Sequence, residues 1–248
     1  SRFDPTYYMH IIIISLVLQT DLFAPHNVLA FADHLYIQED YAAALNEYQR
    51  YQFLADSMRS DIPARIVDCL INLQRYDEAL VKCNDIEDEV QREFTKGTVF
   101  FVAQQYDSSR THLMNIEKLY GKEVNKIIGL SYAFEFRFQK AEEYLSLPPD
   151  KPTYKKPGLG ALCALFPGGG HWYCGRIGDG MFSFFLIGTS ALLSYYYHHE
   201  NEDIKYGICL GATGLFYIAN IYGGINAVRN YNYYQNEKYL QKILENEK

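Results

Sequence analysis

The side chains that could hold a metal ion or take part in catalysis lie in the C-terminal half of the chain. They are three histidines and two carboxylates: His171, His198, His199, Asp179 and Glu200. Adjacent histidines point apart on a helix, and the sequence has no H-x-x-x-H spacing that would place two imidazoles on one helical face. We therefore predict no metal site, no bound cofactor and no catalytic residue, which argues against an enzyme.

Three further features narrow the function classes. The glycine run at 168–170 neither ends in Gly-Lys-Ser/Thr nor follows a predicted strand, so it is not a phosphate-binding loop. The five cysteines include no C-x-x-C pair, which excludes the usual zinc modules. A net charge of −7 lacks the basic footprint of a nucleic-acid-binding protein, so we predict no nucleic-acid partner.

Charges and glycines are unevenly distributed along the 248 residues. Residues 1–150 carry 14 basic and 23 acidic side chains, which leaves a charge of −9, whereas residues 151–248 carry 9 and 7, which leaves +2. Of the 17 glycines, 14 lie between Gly158 and Gly224. The sequence therefore predicts a soluble part followed by an apolar, glycine-rich part.

An apolar run of eight residues, 11–18, lies near the beginning of the chain. It is too short to cross a bilayer, which takes about 20 residues, but it has the length of the hydrophobic core of an export signal. We therefore predict an export signal within residues 1–24; the alternative is a buried strand or the beginning of a helix. We expect Cys69 and Cys83 to fill the core rather than to form a disulfide.

Residues 25–149 contain one pattern four times. An aromatic residue is followed three positions later by a small residue and seven positions later by an apolar one, and a small or slim residue lies nine positions before it. The four aromatic residues are Tyr41, Tyr76, Tyr106 and Phe138. The small residues that follow are Ala44, Ala79, Ser109 and Ala141, and the residues nine positions before are Ala32, Val67, Gly97 and Gly129.

This spacing predicts pairs of helices that approach each other through their small residues. One pair cannot bury its apolar stripe alone, so successive pairs must stack into a solenoid. The segments EDYAAALNEYQRY at 39–51 and QRYDEALVKCNDI at 74–86 resemble the second helix of tetratricopeptide repeats. The resemblance implies a protein partner bound on the concave face; a spacer or a dimerising scaffold is the alternative.

Prolines end the repeats, and we interpret residues 150–156 as a hinge. Residues 157–232 then predict a membrane module. The charge-free blocks 181–197 and 206–228 are long enough to span a bilayer as helices, and tyrosines flank them as in an interfacial belt. The block 158–166 is shorter and predicts a re-entrant or a third spanning segment. Residues 233–248 predict a polar helical tail.

Small residues recur at four-residue spacing along the last apolar block: Gly207, Gly211, Ala219, Gly223 and Ala227. Such a face lets helices pack closely in lipid, so we predict a helix–helix contact there and, through it, a homo-oligomer as one outcome. An unpaired amide is costly in hydrocarbon, so we expect Asn220 and Asn226 to face inward.

The stretches LFPGGGHWYCGRIGDG at 165–180 and IANIYGGINAVRNYN at 218–232 resemble a family of bacterial membrane proteins of unknown function and, more distantly, the small two-helix transmembrane domain. The matching positions are Pro167, Gly168, Gly170, Tyr173, Gly175, Asp179, Gly180, Asn220, Tyr222, Gly223 and Asn232. The resemblance implies an export signal and tetratricopeptide-like repeats in front of a membrane hairpin, and it implies no activity.

The sequence thus predicts an all-α protein, a tetratricopeptide-like helical solenoid followed by a glycine-rich transmembrane helical hairpin. We expect a scaffold that holds a protein partner at a bacterial inner membrane. The signal-like start predicts periplasmic repeats; the positive-inside rule predicts cytoplasmic repeats if only two segments span. The alternative hypothesis makes the membrane module itself active, in transport or in envelope biogenesis and membrane-protein insertion.

Overall fold

The computed structural model describes residues 23–55 and 59–247. These residues form helices and connecting turns without a strand, which confirms the all-α fold class. The chain divides into two units at residue 146, and each unit has its own packing. The apolar run at 11–18, on which the export-signal prediction depends, lies outside the described residues.

The first unit consists of helices that pack as consecutive antiparallel pairs. They are α1 (Pro25–Ile37), α2 (Tyr41–Leu54), α3 (Ile62–Asn72), α4 (Tyr76–Lys82), α5 (Glu89–Val102), α6 (Tyr106–Tyr120), α7 (Lys122–Phe134) and α8 (Phe138–Ala141). Each predicted aromatic residue begins the second helix of a pair. Proline in the first turn favours the start of α1 and of α3, and the Asp40 carboxylate caps α2 by accepting from Ala43 N–H at 3.1 Å.

The two helices of every pair are joined by the same three-residue turn. Its middle residue has a left-handed backbone, with φ of 62° at Glu39, 58° at Gln74, 60° at Gln104 and 58° at Phe136. The next amide bonds back to the fifth carbonyl before it, as Asp40 N–H does to Leu35 O at 3.0 Å. This is the bonding of a Schellman motif, which closes the end of a helix. None of the four residues is glycine, the residue that most often takes this position.

Two of the small residues nine positions before an aromatic residue, Gly97 and Gly129, pack against a leucine that follows that aromatic residue by seven positions. A Cβ atom on Gly97 would lie 2.5 Å from Leu113 Cγ, and one on Gly129 would lie 2.4 Å from Leu145 Cγ. The expected contact between two small residues is present beside it, because Ser109 Oγ donates to Gly97 O at 2.8 Å. The glycines are therefore needed for a leucine as well as for backbone approach.

The other predicted packing residues occupy equivalent places. Fully buried in the first unit are Ala32, Ala44, Ala79, Ala141 and Ser109. Half-buried over them are Tyr41, Tyr76, Tyr106 and Phe138. Cys69 and Cys83 are free thiols in the same core, and burial raises their pKa to about 12 and about 11 respectively.

The second unit contains two short helices and two long ones. They are α9 (Pro157–Cys163), α10 (Gly169–Tyr173), α11 (Ile177–His199) and α12 (Asp203–Asn246). Both long helices are long and apolar enough to span a membrane, and most of their apolar surface is uncovered within the unit. Phe182 is 69% exposed and Leu215 70% exposed. Uncovered apolar surface of this extent is typical of helices that lie against lipid.

Two predicted segments lie on or against α12. The segment 150–156, expected to be a hinge, lies along α12 and is hydrogen-bonded to it. The polar helical tail expected at 233–248 belongs to α12 as far as Asn246, in a single helix of 44 residues. The sequence becomes polar and charged from Arg229 onward. The helix nevertheless continues, because Asn, Tyr, Gln, Glu and Lys are tolerated in a helix.

The close packing of Leu113 on Gly97 yields a prediction about stability. We expect Gly97→Val to lower the free energy of unfolding by about 1–3 kcal/mol, because the new side chain overlaps Leu113. The second repeat carries Val67 and Cys83 at the equivalent places, so adding Leu113→Cys should restore part of the loss. Thermal unfolding of the purified chain measures both.

Asn115→Ala, an exposed change on the same helix, serves as the control and should stay within about 0.5 kcal/mol. If the losses in the free energy of unfolding from Gly97→Val and Leu113→Cys simply add in the double variant, the two residues do not pack against each other.

Candidate functional site

Residues 157–173 form a hairpin that runs beside α12 and returns, and we call this segment the re-entrant hairpin. Going in, Gly160 packs against Val228 and Gly224 of α12. At the tip, Leu165 O accepts from Tyr217 OH at 2.8 Å. Coming back, Cys174, just past α10, packs with Ala227 and Val228. The chain therefore enters and leaves at the same level of α12, and α9, with seven residues, is not a third long helix.

Asn220 holds the tip of the re-entrant hairpin with both ends of its amide. Its Oδ1 accepts from Gly168 N–H at 2.9 Å, and its Nδ2 donates to Ala164 O at 2.6 Å. These are backbone groups that the reversal of the chain leaves outside any helix. Asn220 is only 4% exposed, so water does not compete for either bond. The inward orientation predicted for this residue is observed.

Glycine contacts bring the hairpin backbone directly onto α12. A Cβ on Gly170 would lie 2.5 Å from Gly224 Cα, and a Cβ on Gly224 would lie 2.7 Å from Ala164 Cβ. The small-residue face predicted for a helix–helix contact overlaps this surface only in part, and its use between two copies of the chain stays a prediction. Gly207 and Gly211 have open space around them, and Gly223 lies beside the ring of His171. Ala227 alone of that predicted set is buried.

The tip also contacts the first turn of α11. Gly168 has a φ of 83°, which favours glycine, and a Cβ there would lie 2.1 Å from Gly180 O. A Cβ on Gly180 would lie 2.2 Å from Trp172 Nε1. Gly175, with a φ of 77°, makes the turn into α11. Close by, Arg176 Nε donates to Asp179 Oδ2 at 2.6 Å, and both side chains are exposed.

The residues before the hairpin, 148–156, form an extended segment that we call the strap. Asn232 binds it as Asn220 binds the tip: its Oδ1 accepts from Lys155 N–H at 2.8 Å and its Nδ2 donates to Lys155 O at 2.9 Å. Tyr154 OH donates to Asn236 Oδ1 at 2.6 Å. Lys155 Nζ donates to Tyr173 O and lies 4.9 Å from the ring centre of Tyr173 and 4.5 Å from that of Tyr231.

Two predicted residues stand apart from this site. Asn226 is exposed, so the expectation that it faces inward is wrong; the buried positions around it are Gly224, Ala227 and Val228. Tyr222 is also exposed, at 66%. The sequence reasoning missed Tyr217, Asn236 and Lys155. A signal for the first two existed, because 217, 220, 224, 228, 232 and 236 follow three- and four-residue steps on one face of α12.

A second candidate site lies in the first unit, between the first helices of two successive pairs. It is a groove of about 310 Å³ between α3 and α5. The groove is lined by Ala64, Val67, Asp68, Ile71, Gln91, Phe94, Thr95 and Thr98. Asp68 accepts a hydrogen bond from Tyr36 OH of α1, and this bond, together with burial, raises the pKa of Tyr36. The groove combines an apolar floor with one carboxylate.

No group of three or more His, Cys, Asp or Glu side chains that could hold a metal ion exists among residues 23–55 and 59–247. His171, His198 and His199 therefore belong to no cluster of this kind in the described part of the chain. A comparison with known protein families and with curated proteins gives no match.

The contrast between Asn220 and Asn226 yields a prediction. Asn220→Leu leaves Gly168 N–H and Ala164 O without partners, at a cost of roughly 1–3 kcal/mol each. We expect the hairpin to loosen, so that a water-soluble maleimide labels the buried thiol of Cys174. Peptide mapping by mass spectrometry identifies the labelled cysteine.

Asn226→Leu is the matched control on the same helix, and Cys174 should stay unlabelled there, because this side chain is exposed. Equal labelling in the two variants, or none in Asn220→Leu, would contradict the role given to Asn220.

Proposed function

We propose that this chain is a membrane-anchored, tetratricopeptide-like scaffold that binds a protein partner at a bacterial envelope membrane. The observation that carries the proposal is the groove between α3 and α5, which is lined by the half-buried side chains of Ile71 and Phe94 beside a carboxylate. Such a groove suits an extended or helical segment of another protein.

The surface of the second unit supports the anchor. If α11 and the apolar part of α12 span the bilayer, the re-entrant hairpin lies beside α12 from Val228 to Tyr217. Eleven residues of helix measure about 16 Å, at about 1.5 Å each. The hairpin thus reaches about half of the roughly 30 Å hydrocarbon core. Its outer side chains Leu159, Leu162, Leu165 and Phe166 are exposed and apolar, as lipid contact requires.

The hairpin geometry bears on which side of the membrane carries the repeats. Because the chain enters and leaves the hairpin at one level, the strap, Arg176 and the end of α12 share a side. That side carries Lys151, Lys155, Lys156, Arg176, Arg229, Lys238 and Lys242, whereas the loop between the spans carries Lys205 with three acids. The positive-inside rule then supports cytoplasmic repeats. The periplasmic location predicted from the signal-like start remains a competing prediction.

The alternative function is transport or membrane-protein insertion by the second unit. It was based on Asn220 and Asn226 as a polar lining. Asn220 uses both amide ends to bind backbone of its own chain. Asn226 is exposed on the side of α12 away from the hairpin. Neither amide is therefore available as part of an internal polar path, and the anchor function is the better supported of the two.

Site-specific photo-crosslinking tests the scaffold function in membranes. We expect a photoreactive amino acid at Thr95, in the groove, to form one discrete protein adduct. Ala64→Arg, which adds bulk and charge to the groove, should abolish that adduct. The same amino acid at Thr111, exposed on α6, is the control and should form none of it. Adducts of equal yield at both positions, or an adduct insensitive to Ala64→Arg, would refute binding in the groove.

A further inference from the structure

One carboxylate lines the groove between α3 and α5 without a cation bound to it. Asp68 Oδ2 accepts a hydrogen bond from the hydroxyl of Tyr36, which is a neutral donor. Among residues 23–55 and 59–247, Asp68 forms no ion pair and its Oδ1 accepts no hydrogen bond. The side chain is half-buried, so salt screens its charge less than that of a fully exposed carboxylate. The groove therefore contains one negative charge that no described residue pairs with.

The basic residue of α3 is bound to other carboxylates. Arg65 Nη1 lies 2.6 Å from Asp33 Oδ1, and Arg65 Nε lies 3.1 Å from Asp61 Oδ2. Arg59 Nη2 also lies 2.7 Å from Asp61 Oδ2. These two acids and two bases balance each other, and Asp68 takes no part in the group.

The basic residues of α5 do not line the groove either. Arg92 Nη1 donates to Ile86 O at 2.9 Å, in the turn before the helix. Burial raises the pKa of the Cys83 thiol, and the nearby charge of Lys96 opposes this shift. Both cations therefore lie in surroundings other than the groove.

The hydroxyl groups of the groove offer acceptors rather than donors. Thr95 Oγ1 donates to Gln91 O at 2.7 Å, and Thr98 Oγ1 donates to Phe94 O at 2.9 Å. A hydroxyl has a single hydrogen, so each of these oxygens can form a further hydrogen bond only as an acceptor. An occupant of the groove should therefore bring donors of its own.

We propose that the partner segment bound in this groove carries a cationic side chain, arginine or lysine, that pairs with Asp68. The inference rests on the scaffold function proposed above and specifies the chemistry of the partner. Arginine and lysine have long apolar stems below their charged ends, which suits a floor of Val67, Ile71 and Phe94. Arginine fits better of the two, because its guanidinium presents five donors and stacks on aromatic rings.

The charge of the repeats favours the same kind of partner. Residues 1–150 carry a net charge of −9, which attracts a basic segment from a distance and speeds its association. This general attraction acts over the whole surface, however, so the test must separate it from a specific pair with Asp68.

The test selects peptides on the purified, detergent-solubilised full chain. Random peptides displayed on phage are first depleted on the Ala64→Arg variant, which removes those that bind outside the groove. A selected peptide, and its variant with glutamine in place of the basic residue, are then titrated by fluorescence anisotropy against the unaltered chain, Asp68→Asn and Asp77→Asn. Asp77 is an exposed carboxylate of α4 outside the groove, so its change alters the net charge equally.

We expect the selected peptides to share an arginine or lysine beside apolar residues. Asp68→Asn should weaken binding of the basic peptide about tenfold, since a bond between charged groups is lost. It should leave binding of the glutamine variant unchanged, because the asparagine oxygen still accepts from Tyr36 and preserves the groove. Asp77→Asn should alter neither affinity.

The inference is overturned if the selected peptides lack a basic residue, if no peptide survives the depletion, or if Asp68→Asn and Asp77→Asn weaken binding equally. The photo-crosslink at Thr95 separates such a failure from a failure of the scaffold function. An adduct that persists means that a partner of other chemistry occupies the groove, whereas its absence contradicts binding in the groove altogether.

Discussion

The second unit depends on the bonds of Asn220. Where the re-entrant hairpin reverses, the carbonyl of Ala164 and the amide of Gly168 have no partner within their own helices, and Asn220 provides one side chain for both. We propose that this hairpin lies in hydrocarbon, where each unsatisfied backbone group would cost several kcal/mol and an irregular turn is stable only when protein satisfies it. Gly170 and Gly224 let the backbones approach closely enough for those bonds to form.

An asparagine side chain that binds both a backbone amide and a backbone carbonyl occurs a second time along α12. Asn232 holds the strap by a backbone amide and carbonyl, as Asn220 holds the tip. The connections between helices also share one design, since Glu39, Gln74, Gln104, Phe136 and, between α11 and α12, Asn201 all adopt a left-handed backbone. A few contacts that satisfy backbone groups therefore position both the helix pairs of the first unit and the hairpin of the second.

Much of this architecture could be predicted from the sequence. The spacing of Tyr41, Tyr76, Tyr106 and Phe138 located four helix pairs because packing at a helix crossing constrains residue size strongly. Two charge-free blocks located the long apolar helices for an equally physical reason. The turns between the two helices of each pair were not predicted. The hydrogen bonds of a Schellman motif can offset the energetic cost of a left-handed backbone at residues other than glycine, so no residue type marks these turns.

The face of α12 could not be predicted, because the helix carries small residues on more than one side. Gly207, Gly211 and Gly223 form a regular series, yet Gly207 and Gly211 have open space around them, and Gly224 is the glycine that meets the hairpin backbone. Asn226 is as polar as Asn220 but lies about 120° away from it around the helix axis, so only one of them meets the hairpin. Which face is covered depends on where the hairpin reverses, and that is a property of tertiary packing.

We propose that residues 157–173 enter and leave the membrane on one side. Impermeant-maleimide labelling of single-cysteine variants in sealed vesicles of both orientations tests this topology directly, with Lys156→Cys before the hairpin, Arg176→Cys after it, Asn246→Cys at the end of α12 and Asn201→Cys in the loop between the two long helices. We expect the first three variants to label from one face and Asn201→Cys from the other. Labelling of Lys156→Cys and Arg176→Cys from opposite faces would contradict it and establish a third spanning segment.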